Sequence, residues 1–232
     1  MVVELSDEDR LAAMLHDREV VFLTVAPGGS DRSYRDVYLE GVRHLLASVG
    51  GSAVTRIVYT SSTSVYGQRD GGWVDEDSPT EPTSERGGIL VETERAVLDG
   101  ARARGMIATV LRVAGIYGPG RGPINRVVQY AGRQRTGGAV YVNLVHVEDI
   151  VQVCVKLLDV DYAGVLNLSD GHPVPRRTYY DRIMAVAGAA PIDWVNDDNS
   201  EDRGKRVSNR RIREVLDLRL RYPSYESVLG DA

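Results

Sequence analysis

Four near-continuous apolar runs punctuate the first 170 residues: Glu19-Val-Val-Phe-Leu-Thr-Val-Ala26, Thr55-Arg-Ile-Val-Tyr-Thr-Ser61, Ile107-Ala-Thr-Val-Leu-Arg-Val-Ala114 and Gly164-Val-Leu-Asn-Leu-Ser169. Runs of this kind, apolar on both faces, predict strands of a parallel sheet covered on both sides. Amphipathic stretches fill the gaps. Ser6 and Asp9 have the spacing of a capping box that would open a helix from Asp7 to His16. Arg32 to Val49 is apolar at Val37, Leu39, Val42, Leu45 and Leu46, one buried stripe on a helix. Arg86 to Arg104 and Val147 to Leu158 read as two further helices. Alternation of strand and helix predicts an α/β, doubly wound sheet.

Past residue 170 the rhythm changes. Val174 to Ala187 reads as helical, Pro191 to Arg203 as a polar loop, and Ser208 to Leu216 as a short helix. The acidic run Asp197-Asp-Asn-Ser-Glu-Asp202 has no apolar period and reads as solvated. The expected organisation is a Rossmann-like α/β core over 1–170 and a small C-terminal substrate-side lobe over 171–232 that does not fold independently.

The chain has 232 residues, enough for one substantial core or one domain with an appendage. No apolar run approaches the roughly 18 residues of a membrane span, and the first residues lack the basic and apolar regions of a secretory signal. Cys154 is the single cysteine, which excludes an internal disulfide and suits a reducing cytoplasm. A net charge of -5 gives no reason to propose nucleic acid as a partner. The four histidines show no ligand spacing, so no metal site is expected. Lys156 and Lys205 are the only lysines, which restricts where a catalytic lysine could lie.

Five signatures follow one another along the chain: Thr60-Ser-Ser-Thr-Ser-Val-Tyr-Gly67, Pro82-Thr-Ser-Glu-Arg-Gly87 running into Glu92 and Glu94, Leu111-Arg-Val-Ala-Gly-Ile-Tyr-Gly-Pro-Gly120, Val145-His-Val-Glu-Asp149, and Lys205-Arg-Val-Ser-Asn209. In this order the chain resembles the extended short-chain dehydrogenases/reductases, the NAD-dependent epimerase/dehydratase group, over nearly its whole length. The resemblance implies a Rossmann-like fold, NAD or NADP as cofactor, and a nucleotide sugar or small hydroxy/keto compound as substrate. It also implies a homodimer built on the helices at Arg32–Val49 and Arg86–Arg104. It places the cofactor against Val25, Ala26, Ser61, Ala114 and Ile116, and the substrate against Thr63, Tyr117 and Arg86.

In that group a strand-end hydroxyl holds the substrate, a role that falls on Ser62. A tyrosine then moves the proton, and a lysine four residues later lowers its pKa and holds the nicotinamide ribose. A phenol of pKa about 10 transfers protons poorly near neutrality without such a cation. Here the pattern is broken: Arg86 stands in the tyrosine position and Leu90 in the lysine position. Arginine stays protonated and cannot act as a base, and leucine cannot hold a ribose. No Tyr-x-x-x-Lys occurs elsewhere in the chain.

The dinucleotide loop is missing as well. No G-x-G-x-x-G or G-x-x-G-x-x-G is present; Gly118-Pro-Gly-Arg-Gly122 matches a later loop of the group, and Ala26-Pro-Gly-Gly29 follows the group's fourth strand. By register Met1-Val-Val-Glu-Leu5 falls near the third strand, so the sheet is expected to be incomplete at its N-terminal side. Val20–Val25 would then be a long apolar edge, which points to a start codon placed too far downstream, a truncated copy, or another cover for that edge. Weak or absent dinucleotide binding is an alternative for the same reason.

Each candidate has a plainer role beside the chemical one. Ser62 either donates to a substrate or caps local backbone. Packing with a satisfied hydroxyl is the simpler role for Tyr66 and Tyr117, yet Tyr66 is the best replacement acid/base if Arg86 lies close to it. Arg86 either clamps an anionic substrate group or is a solvated first-turn arginine; a cation sits poorly at a helix N-terminus, which favours a specific anion. His146 reads as a buried structural histidine. Two functions stay open: an atypical NAD(P)-dependent oxidoreductase using Ser62, Tyr66 and Arg86, and a non-catalytic protein that binds a dinucleotide or a partner.

Overall fold

The computed structural model describes residues 3–26, 33–195 and 201–229. In chain order its elements are α1 (Glu8–Leu15), β1 (Val20–Leu23), α2 (Gly41–Ser48), β2 (Arg56–Ser62), β3 (Asp70–Val74), α3 (Glu85–Arg102), β4 (Ile107–Val113), β5 (Gly115–Tyr117), α4 (Pro123–Val127), β6 (Gln134–Arg135), β7 (Tyr141–Val142), β8 (Leu144–His146), α5 (Val147–Lys156), β9 (Gly164–Leu168), β10 (Val174–Pro175), α6 (Arg176–Val186), β11 (Asp193–Trp194), β12 (Gly204–Val207) and α7 (Arg210–Leu216). The fold is α/β with a Rossmann-like sheet, as the alternation predicts.

The sheet has four strands in the order β1-β2-β4-β9, the four apolar runs of the sequence. β1 and β2 run parallel, with Val20 opposite Arg56 and Leu23 opposite Tyr59. No strand among the described residues pairs with the far side of β1. That edge is shorter than expected: the strand ends at Leu23, and Thr24 and Val25 lie outside it. The expectation of a strand near Met1–Leu5 is corrected for Val3–Leu5, which are not extended in a ladder; Leu5 and Ser6 form a turn across which the Glu4 carbonyl accepts from the Asp7 amide. Met1 and Val2, and Pro27 to Arg32 with Gly28 and Gly29, lie outside the described residues.

The chain divides into two compact units. The first comprises 1–67, 79–112 and 156–166. Its core joins Leu11 and Leu15 of α1, Val42, Leu45 and Leu46 of α2, Ile57 and Tyr59 of β2, Val97 and Ala101 of α3, and Ala108 and Val110 of β4. The first helix is capped by Asp7, whose side chain accepts from the Arg10 amide at 3.2 Å, rather than by the Ser6–Asp9 box. The helix expected over 32–49 contains a π turn over Asp36–Glu40 before α2.

The second unit comprises 68–78, 113–155 and 167–232. It holds the short strand pairs β3–β12, β5–β8 and β6–β11, all parallel, and the antiparallel pair β7–β10. Its core gathers Tyr117, Leu144, Tyr179, Ile183, Met184, Ile192 and Tyr225. The helix expected at Val174–Ala187 is preceded by β10 and starts at Arg176. No helix among the described residues is long and apolar enough to cross a membrane.

Candidate functional site

In the first unit the end of β2 turns through a single 3-10 turn, Thr63–Val65, and a close approach holds it in place. A Cβ on Gly67 would stand 2.0 Å from the Glu81 carbonyl oxygen, and one on Gly87 would stand 2.5 Å from Pro82 Cβ and 3.0 Å from the Ser64 carbonyl oxygen. Only glycine fits at such distances. The strand-end loop and the entry to α3 are therefore pressed together by two glycines of the sequence motifs. Ser84 caps α3, accepting from the Gly87 amide at 3.1 Å.

Ser62 is half-buried, and its hydroxyl oxygen accepts from the Ser64 amide at 3.2 Å. That bond uses a lone pair and leaves the hydroxyl proton to donate. Thr63 beside it is half-buried. Arg86 is exposed in the first turn of α3, with its guanidinium carbon 5.5 Å from the Tyr34 ring centroid. Burial, then the neighbouring Tyr38, pushes the Tyr34 phenol up to about 12, so Arg86 does not turn Tyr34 into a base.

Tyr66 is 2% exposed, and its hydroxyl accepts from Arg112 Nη1 at 2.9 Å. The cation on Tyr66 is thus Arg112, whose guanidinium carbon lies 4.9 Å from the ring centroid. Arg112 also donates to both Glu94 oxygens, from Nε at 3.2 and 3.1 Å and from Nη2 at 2.8 Å. Glu94 Oε1 accepts from the Ser61 hydroxyl at 2.6 Å. All four residues are buried. Burial opposes the charge on Arg112, but the hydrogen bonds and charge of Glu94 outweigh it and hold the guanidinium above its ordinary value.

Sequence reasoning did not single out the Glu94–Arg112 pair. A signal was present: an arginine inside the apolar strand Ile107–Val113 requires a buried counter-charge, and Glu94 follows buried Leu90 by one helical turn.

Of the residues expected against a dinucleotide, Val25 is half-buried and Ala26 exposed beyond the end of β1, while Ser61 has its hydroxyl committed to Glu94. Leu90, expected from the sequence at the group's lysine position, is 1% exposed and belongs to the buried interior. No described residue of this unit presents a glycine-rich amide cradle after a strand. The group's glycine-rich cradle and ribose-holding lysine thus have no counterpart among the described residues of this unit.

In the second unit, Ala114 donates its amide to the Leu168 carbonyl at 3.0 Å, and the half-buried Ile116 accepts on its carbonyl from Arg126 Nη1 at 3.2 Å. Tyr117 is buried against His146, ring centroids 5.1 Å apart and edge-on. Its hydroxyl has no hydrogen-bond partner among the described residues. Burial, then the Asp170 carboxylate, raises the Tyr117 phenol. His146 is stacked on Tyr222 at 3.6 Å, and its Nδ1 accepts from the Glu148 amide at 3.2 Å. Asp149 receives the amides of Arg221 and Tyr222 at 2.7 and 3.2 Å, fixing the segment that carries Tyr222. Asp170 is a buried carboxylate that sequence reasoning did not single out. It is buried, one carboxylate oxygen accepts from the His172 amide at 2.9 Å, and the other has no partner among the described residues.

Residues 1–168 match the family model for the NAD dependent epimerase/dehydratase family. The chain belongs to this family. It is similar to protein YeeZ of Escherichia coli (strain K12), 32% identical over 219 residues that span 94% of this chain and 76% of that protein. Among solved structures it is similar to a functionally unknown conserved protein from Silicibacter pomeroyi, at 30% identity and a TM-score of 0.73, covering 91% of this chain and 76% of that one. It is also similar to MoeE5 in complex with UDP-glucose and NAD, at 25% identity and a TM-score of 0.81, covering 97% and 81% of the two chains. Arg86 and Leu90, the residues expected at the group's Tyr and Lys positions, are respectively exposed and buried.

Proposed function

We propose that the chain is an atypical NAD(P)-linked member of the epimerase/dehydratase family that binds a nucleotide sugar or a small hydroxy/keto compound. In this reading Ser62 orients the ligand's oxygen and the usual Tyr–Lys proton relay does not operate. The observation that carries it is the contrast at the end of β2. Ser62 keeps a hydroxyl proton to donate beside half-buried Thr63, while the lysine position is filled by a leucine that is 1% exposed. Membership of the family and the likeness to MoeE5, whose structure holds UDP-glucose and NAD, support the ligand class.

Ser62 can donate to a carbonyl or hydroxyl, and Arg86, exposed and always charged, can meet a carboxylate or phosphate of the ligand. Both lie in the first unit. A bound dinucleotide would supply hydride chemistry. Its phosphate contacts have to come from groups other than the described residues of this chain, a second copy included.

A second reading is a non-catalytic ligand- or partner-binding protein. It is favoured by Tyr66, the best replacement for the missing acid/base, because its hydroxyl is buried and bonded to Arg112.

Titration of NADH and NADPH with the purified chain, followed by nicotinamide fluorescence and with size-exclusion on the same sample, tests the proposal. Saturable micromolar binding supports it and justifies a substrate screen. Absence of binding to both dinucleotides overturns it in favour of the second reading.

A further inference from the structure

The second unit contains a cavity of about 450 Å³ between the loop at 118–125, the start of α5 and the segment that follows the 3-10 turn Tyr225–Val228. Pro119, Pro123, Ile124, Val228 and Leu229 give it apolar walls. None of its lining residues is among those expected against a dinucleotide or a substrate. Two polar side chains in it, His146 and Glu148, decide what it can hold. His146 is 2% exposed. Its Nδ1 accepts from the Glu148 amide at 3.2 Å, so the neutral ring carries its proton on Nε2. That Nε2 has no hydrogen-bond partner among the described residues. The Nε2 edge of the ring lies beside Gly118, which also lines the cavity. Gly118 stands at φ +144°, and a Cβ there would come within 3.1 Å of Nε2 and 2.6 Å of Val147 Cγ1. A side chain at 118 would therefore cover the donor. The ring itself is fixed, with Tyr222 stacked on it at 3.6 Å and Tyr117 edge-on at 5.1 Å. A donor held in this way loses little freedom when an acceptor arrives.

Glu148 supplies the opposite sense. The Tyr222 hydroxyl donates to its Oε2 at 3.3 Å, and Arg221 Nη1 meets the same oxygen at 3.7 Å. Oε1 is left to accept. No lysine or arginine is among the lining residues, so a carboxylate or phosphate in the cavity would face Glu148 without a cation to offset its desolvation. A neutral group that presents an acceptor beside an N–H is matched on both sides. One or two aromatic rings carrying such a group fit the volume and the apolar walls.

We infer that this cavity binds a small neutral aromatic amide or lactam, whose carbonyl accepts from His146 Nε2 and whose N–H donates to Glu148. The site lies wholly within the second unit and does not depend on Ser62 or on dinucleotide binding by the first.

The probes are benzamide, its N,N-dimethyl analogue, which keeps the carbonyl but lacks the N–H, and benzoate, which keeps the ring but carries a charge. Binding to the full chain is read by NMR at the Ile124 δ1 methyl and the His146 ring nitrogens, at fixed pH and ionic strength. Without a probe the His146 ring should show the Nε2–H tautomer. Benzamide should shift both signals saturably and bind at least about tenfold more tightly than benzoate, because its N–H meets a carboxylate where an anion meets no cation. The dimethyl analogue should bind more weakly than benzamide. Glu148→Gln should narrow the gap between benzamide and benzoate. Val228→Trp, at a wall position that is 36% exposed, should fill the cavity and abolish the benzamide shift while melting at an unchanged temperature. No benzamide shift up to its solubility limit, equal affinity for benzamide and benzoate, an Nδ1–H ring, or full benzamide affinity in Val228→Trp would overturn the inference. Nicotinamide fluorescence of NADH is a separate signal that Val228→Trp should leave unchanged, so failure here and failure of dinucleotide binding are told apart.

Discussion

Arg112 grips Glu94 through two nitrogens, Nε and Nη2, and both side chains are buried, at 7% and 4% side-chain exposure. A charge pair so far from water is held by geometry and by satisfied lone pairs. Breaking one partner leaves the other charged and unpaired, which costs far more than the pair contributes by its presence. Glu94→Gln keeps the shape and removes the charge, and is expected to destabilise the protein by about 3–5 kcal/mol. Urea unfolding would read this as a lower midpoint with an unchanged slope. The double variant Glu94→Gln, Arg112→Met should recover part of the loss; purely additive losses would show that the two charges are not coupled.

Tyr66 depends on the same network. Tyr66→Phe removes the acceptor at 2.9 Å from Arg112 Nη1 and leaves a buried donor unmet, at a cost of about 1–3 kcal/mol. Under the proposed function this variant loses stability while its dinucleotide and ligand affinities stay as they were. A Tyr66→Phe protein of unchanged stability and abolished turnover would restore Tyr66 as the acid/base.

Much of this fold is legible in the chain because its four main strands are apolar on both faces, and such runs leave few alternatives to a parallel sheet. The core residues Val42, Leu45 and Leu46 fall on the helical stripe that periodicity picks out. What the pattern does not carry is pairing at a distance. The β3–β12 ladder joins Asp70 to Gly204 across short, glycine-containing segments with no period of their own. The Ser6 box failed for a local reason, since Asp7, one residue later, reaches the Arg10 amide at 3.2 Å. At the site, Ser62 and Tyr66 are visible from their motif, but the cation that meets Tyr66 comes from a neighbouring strand. The motif alignment offered Arg86 for that role if it lay close to Tyr66; the arginine bonded to the Tyr66 hydroxyl is Arg112.

Gly67 gives a sharper test of how the strand-end loop is held. Any side chain there meets the Glu81 carbonyl, where a Cβ would stand at 2.0 Å. Gly67→Ala therefore forces the backbone at 79–82 away from the loop. The expected loss is about 1–3 kcal/mol or more, in the range of overpacked sites, together with weaker ligand binding at Ser62. Gly88→Ala is the matched control. It lies in the first turn of α3, against which the loop packs, with no atom within 4 Å of its added Cβ, and should be neutral or stabilising by a few tenths of a kcal/mol up to about 1 kcal/mol. Equal stability of the two variants would show that the close approach at Gly67 does not constrain the loop.

Asp170 sets a pH dependence whose sign follows from its surroundings. Burial, the largest influence, pushes its carboxyl up from 3.8 to about 7; Asp149 adds to the rise, and the His172 amide opposes it. The folded chain therefore keeps this proton over a range where the unfolded chain has released it. Protonated Asp170 supports the fold below pH 3.8, and that support is lost as pH rises through the interval up to about 7. A shift of about three units corresponds to roughly 4 kcal/mol, since each unit is about 1.4 kcal/mol. The protonated carboxyl can donate a hydrogen bond inside the unit, where the Tyr117 hydroxyl also has no partner among the described residues. Asp170→Asn keeps a donor and removes the titration. Its stability, followed by urea unfolding from pH 5 to 8.5, should decline less than that of the unaltered chain, so that the variant is the more stable protein at the alkaline end. Parallel pH profiles for the two proteins would show that Asp170 is already ionised in the folded state at pH 5.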